Sequence, residues 1–159
     1  MKKKTKPPQE INRLITFETG HGFIIHGANA KPLFPTHTHR LTELGMPEFI
    51  FDPLAFGAQG NAARIIDVYK YLSKPENADQ LDDLRDGITV RLTANDLVPE
   101  FTGEHSYAYC LRKVPPDFEG VKLAYYPDEI YPDTWFVQLY TEGDNYVLTD
   151  EYFRHGVSW

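Results

Sequence analysis

The chain of 159 residues carries 16 basic and 23 acidic side chains, a formal net charge of -7, and is 42% hydrophobic and 14% aromatic. That size and apolar share suit one folded domain with a buried core and exclude a disordered chain. The acidic balance argues against a broad nucleic-acid surface, which needs clustered lysine and arginine, and the single cysteine, Cys110, excludes a disulfide framework or a cysteine zinc cage.

Lys2, Lys3, Lys4 and Lys6 precede Pro7 and Pro8 with no apolar run behind them, so they do not read as a signal peptide. Residues 1–9 are read as a flexible basic tail and 10–159 as one globular domain. No stretch approaches the roughly eighteen apolar residues of a membrane span. The expectation is a cytoplasmic protein without a membrane partner.

Ile11, Leu14 and Ile15 stand at helical spacing, and Gly20 is placed to stop that N-terminal helix. Residues 23–26 read as a short strand between Gly22 and Gly27, and a turn holding Asn29, Lys31 and Pro32 leads to a second strand, 36–41. Gly45-Met46-Pro47 turns the chain into a third strand, 48–52, whose Phe49-Ile50-Phe51 run suits burial on both faces. Ala62, Ile65, Ile66, Tyr69 and Leu72 form one apolar stripe, a central amphipathic helix ended by Ser73-Lys74-Pro75. Residues 77–85 suggest a short acidic helix. Beyond Gly87, strands are expected at 88–92, 105–113, 121–126 and 134–141, with a short one at 146–148. The fold class is therefore α+β: a mainly antiparallel β-sheet with an N-terminal helix and a central amphipathic helix packed on one face.

Four of the six histidines, His21, His26, His37 and His39, fall within nineteen residues. On a strand, residues two apart share a face, so His37 and His39 of the His-Thr-His triplet point at one ligand. With a carboxylate such as Glu43, two imidazoles make a common set for a divalent transition metal, with positions left for water or substrate. The spacing His-x-His-x-x-x-Glu is also that of the first cupin metal motif, but Lys31 and Ile50 stand where its glycines belong and no later histidine motif follows. Glu48 opens an apolar strand; if buried it must be hydrogen-bonded, and it would orient a histidine or serve as a general base. Glu43 and Glu48 are thus the candidate catalytic carboxylates, and His37 and His39 the candidate metal ligands. His21, between two glycines, and Arg40 are candidate ligand contacts. His26 closes the same strand as Phe23 and reads as structural.

The stretch 125–135 mixes aromatics, prolines and three acids, a composition fit for a binding loop, with Tyr131 and Trp135 as its candidate contacts. Cys110 lies in an apolar strand and reads as a buried inert thiol. No P-loop, Gly-x-Ser-x-Gly elbow or dinucleotide fingerprint is present; Gly20-His21-Gly22 lacks the strand and helix such a fingerprint needs.

His21-Gly22-Phe23, and Thr36-His37-Thr38-His39-Arg40-Leu41-Thr42-Glu43-Leu44-Gly45-Met46-Pro47-Glu48-Phe49, resemble the bacterial and phage family catalogued as domain of unknown function 4262. That family shows a His-Gly-aromatic start, a Tyr-Thr-x-Gly-Leu or His-Thr-His-Gly-Leu segment, and Gly-His-Pro-Glu before an apolar strand. Here Arg40 replaces the usual glycine and Met46 the histidine before proline. The resemblance spans about residues 10–73 and implies a small stand-alone α+β domain; it lends no activity or cofactor.

Two functions follow as expectations. In the first, a His-rich pocket binds a divalent metal or a small phosphorylated or nucleotide ligand and hydrolyses it. In the second, a non-catalytic interaction protein, such as an immunity or phage anti-defence factor, uses the loop 126–135 to mask a basic partner surface, or a pocket sequesters a signalling nucleotide without cleaving it.

Overall fold

A computed structural model describes residues 14–98, 108–125 and 134–142. Its frame is a seven-stranded sheet. The strands are β1 (Leu14–Glu18), β2 (Ile24–Ala28), β3 (Thr36–His39), β4 (Glu48–Phe51), β5 (Val90–Thr93), β6 (Ala108–Val114) and β7 (Phe136–Thr141), in the order β1-β2-β3-β4-β7-β6-β5. Only β4 and β7 run parallel; the other pairs are antiparallel. The α+β class and the mainly antiparallel sheet expected from the sequence are both present.

The N-terminal helix is corrected where the structure reaches it. Leu14 and Ile15 belong to strand β1, paired with β2 from Leu14↔Ala28 to Glu18↔Ile24. Exposure alternates along it, with Ile15 and Phe17 turned inward and Leu14, Thr16 and Glu18 outward. That two-residue period and the β-branched Ile15 and Thr16 favour the strand over a helix read from three spaced apolar residues. Residues 1–13, and with them the basic tail and Ile11, lie outside the described residues, as does the expected strand at 146–148.

The central helix is α1 (Pro53–Leu72), longer than its apolar stripe. Asp52 caps its N-terminus by accepting from the Leu54 amide at 2.7 Å, and Pro53 occupies the first turn. Gly57, with φ 72° and ψ 172°, breaks the helix into a short first turn and a long second part. Asn61 ties that break to the sheet. Its side chain accepts from the Phe56 amide and donates to the Thr36 hydroxyl and the Asp52 carbonyl. Ala62, Ile65, Val68 and Leu72 pack with Phe23, Ile25, Phe49, Phe51, Leu111 and Leu139 in the main core. The short helix α2 (Ala78–Arg85) adds Leu84 to this layer, and one turn, α3 (Ala94–Leu97), follows β5 behind a Thr93–Asp96 capping box.

The segment 121–126, expected as a strand, is instead mostly helix: α4 (Glu119–Tyr125). Its Val121, Ala124 and Tyr125 join Phe118 at helical spacing, and these pack on Ile50, Val114 and Phe136, from the opposite side of the sheet to Phe49 and Phe51. Both sheet faces therefore carry helices, not one. This second, smaller layer positions the candidate site.

Candidate functional site

Strands β2 and β3 pair antiparallel with Ile24 opposite His39, Ile25 opposite Thr38 and His26 opposite His37. Alternation does the rest. Thr36 and Thr38 turn toward α1, where Thr36 meets Asn61, while His37, His39 and His26 turn toward α4. The three imidazoles form a compact triangle, with ring centroids 5.5 Å apart for His26–His37, 4.7 Å for His26–His39 and 5.2 Å for His37–His39. Each offers one ring nitrogen, and these nitrogens lie within 4.8 Å of one another. Tetrahedral coordination at metal–nitrogen distances of about 2.1 Å places neighbouring nitrogens about 3.4 Å apart, so small swings of the side chains close the set on an ion.

One ring is already oriented for that role. His37 Nδ1 lies 2.8 Å from the Pro35 carbonyl oxygen. A carbonyl only accepts, so Nδ1 carries the hydrogen of this bond; in the neutral ring the lone pair then sits on Nε2, the arrangement by which backbone carbonyls fix metal-ligating histidines. His37 is fully buried, His39 is 8% exposed and His26 is half-buried, so the triangle opens toward solvent on the β2 side. On the opposite side Tyr125 of α4 closes it. The Tyr125 hydroxyl donates to the Thr38 carbonyl at 2.9 Å, and its ring stands edge-on to His37 and His39 at 4.8 and 5.4 Å.

The structure thus unites His37 and His39 as expected and adds His26, read from the sequence as structural. Glu48 is buried, 1% exposed, and its carboxylate is fully engaged. Oε1 accepts from the Thr38 hydroxyl at 2.7 Å and the Leu41 amide at 3.3 Å; Oε2 accepts from the Thr42 amide at 3.0 Å and the Thr42 hydroxyl at 2.7 Å. It knots the turn after β3 to the start of β4. Glu43 sits exposed on the 3₁₀ turn Thr42–Leu44 and is not part of the ligating group.

The candidate ligand contacts are not gathered at the histidines. His21 is exposed, its ring 5.4 Å from that of Tyr69, on the α1 side. Trp135 packs against the main core, with the Arg85 guanidinium 5.4 Å and the Lys113 ammonium 5.7 Å from its ring centre. Arg40 directly follows His39, is exposed, and holds φ 78°, in the left-handed region. Tyr131 lies outside the described residues.

Cys110, on β6, is buried as expected. Burial pushes its thiol pKa up and the Glu142 charge adds to this, against smaller opposing effects of a Tyr140 hydrogen bond and Arg91. The neutral thiol is favoured, the opposite of what a thiolate nucleophile requires. Among the described residues no helix is long and apolar enough to cross a membrane. Comparison with family models, with curated proteins and with solved structures found no match for this chain.

Proposed function

We propose that the protein is a metal-dependent hydrolase whose ion is held by His26, His37 and His39. The observation that carries this reading is the convergence of three ring nitrogens within 4.8 Å, with the His37 ring held by the Pro35 carbonyl. Three protein nitrogens leave a fourth position for water, the pattern of catalytic rather than structural zinc sites. Three neutral ligands also leave the ion's double charge uncompensated, which acidifies a bound water and makes hydroxide available near neutral pH. The open side of the triangle gives that position access to solvent and substrate. A divalent ion held there would also offset the negative charge of a phosphoester, which favours that substrate over a neutral ester.

The test is turnover by zinc-loaded protein of bis(p-nitrophenyl) phosphate and p-nitrophenyl acetate. Activity that requires the metal, is lost in His39→Ala and is greater on the phosphodiester is the expected result. Stoichiometric zinc binding without turnover of either probe would reduce the centre to a binding site.

A further inference from the structure

We propose that Glu18, at the end of β1, is the carboxylate that takes the proton from the metal-bound water; this rests on the metal-centre reading above. Thr16 stands opposite His26 and Glu18 opposite Ile24, and Ile24 in turn stands opposite His39. Strand alternation puts Thr16, Glu18, Ile24, His26, His37 and His39 on one face of the sheet, since Phe17 and Ile25 between them belong to the main core on the other. Glu18 is therefore the diagonal cross-strand neighbour of His26, about 7–8 Å away between Cα atoms, a spacing that long side chains bridge.

Exposure gives the direction of access. It rises from buried His37 and His39, through half-buried His26 and Ile24, to exposed Thr16 and Glu18. Tyr125 covers the other side. The more exposed side of the histidine group is consequently the one toward β1, where Glu18 stands. Its carboxylate has no hydrogen-bond or ion-pair partner among the described residues, whereas that of Glu48 is saturated by four donors. A base must have a free lone pair within reach of its proton, directly or through one water. Of these two carboxylates Glu18 keeps its lone pairs free and Glu48 does not.

In the proposed step, Glu18 accepts one proton from the bound water. The hydroxide oxygen bonds to the substrate phosphorus, the bond from phosphorus to the ester oxygen breaks with its electron pair on that oxygen, and Glu18 returns the proton to the leaving alcohol. No oxidant or further reactant is needed.

Cobalt(II) serves as probe, because its visible absorption reports both occupancy and ionisation of the bound water. Glu18→Gln is expected to bind cobalt as the wild type does, since Glu18 is not a ligand. The midpoint of the pH-dependent spectrum should fall by about 0.5–1 pH unit, because a nearby negative charge disfavours hydroxide and its removal favours it. Turnover of bis(p-nitrophenyl) phosphate should drop about 100-fold or more, with partial recovery in Glu18→Asp. Cobalt binding with an unchanged midpoint and unchanged turnover in Glu18→Gln would overturn the role of Glu18 alone. Failure of the wild type to bind cobalt would overturn the metal centre and this role with it.

Discussion

Replacing Glu48 separates a structural carboxylate from a catalytic one. In Glu48→Ala, the Thr38 hydroxyl and the Leu41 amide, both buried, lose their acceptor at Oε1. The Thr38 oxygen still accepts from the Phe49 amide at 2.9 Å, so its hydrogen alone is orphaned. Orphaned buried donors cost about 1–3 kcal/mol each. The Thr42 amide and hydroxyl lie on an exposed residue, where water replaces Oε2 at small cost. Adding the void left by the side chain and subtracting the relief of no longer burying a charge, the expected loss is about 3–5 kcal/mol. Glu48→Gln keeps an acceptor for Thr38 and Leu41 but turns an N–H toward the Thr42 amide, for about 1–2 kcal/mol. Urea unfolding followed by tryptophan fluorescence and far-ultraviolet circular dichroism measures both. A loss below about 1 kcal/mol in Glu48→Ala would refute the structural assignment and return Glu48 to candidacy as a base.

Four further outcomes are expected. Asn61→Ala, which removes all three bonds that staple the Gly57 break to the sheet, should cost about 2–4 kcal/mol in the same unfolding assay. In Gly27→Ala the new Cβ would sit 2.7 Å from the Ala58 Cβ; a loss of about 1–3 kcal/mol is expected, and Ala58→Gly should restore most of it in a double-mutant cycle. Arg40→Gly relieves a left-handed backbone and should raise stability by about 0.5–1 kcal/mol. Cys110, whose thiol pKa is raised by burial first, should be alkylated by iodoacetamide more slowly in the native than in the urea-unfolded protein. Because the folded value lies above the unfolded one, its contribution to stability is complete below the ordinary thiol range and lost as pH rises through the raised value; equal alkylation rates in both states would contradict this.

How far the site could be read from the chain depends on the range of the interactions that build it. The His37–His39 pair follows from strand parity alone, a local rule, and the structure keeps both rings on one face. The saturation of Glu48 follows from the cost of burying a carboxylate, although its partners in the Thr38–Thr42 turn could not be named from composition. His26 was out of reach because its role depends on register: only the pairing of β2 with β3 sets it opposite His37, and a shift by one residue would turn it toward α1. Glu18 depends on a second register, between β1 and β2, in a segment whose apolar spacing pointed to a helix. The helix α4 was hidden by Val121, Tyr125 and Tyr126, which favour strands by propensity, while the spacing of Phe118, Val121 and Tyr125 already carried the helical period. His21 and Trp135 were nominated for residue type, and packing sent both rings to the α1 side.

The most direct measurement is the metal content of the purified, untagged protein by elemental analysis, before and after dialysis against zinc. About one ion per chain is expected in the wild type and in His21→Ala, with loss in His26→Ala, His37→Ala and His39→Ala while circular dichroism stays native. A folded wild type that takes up no zinc, or a His26→Ala variant that binds zinc as tightly as the wild type, would contradict the three-histidine centre.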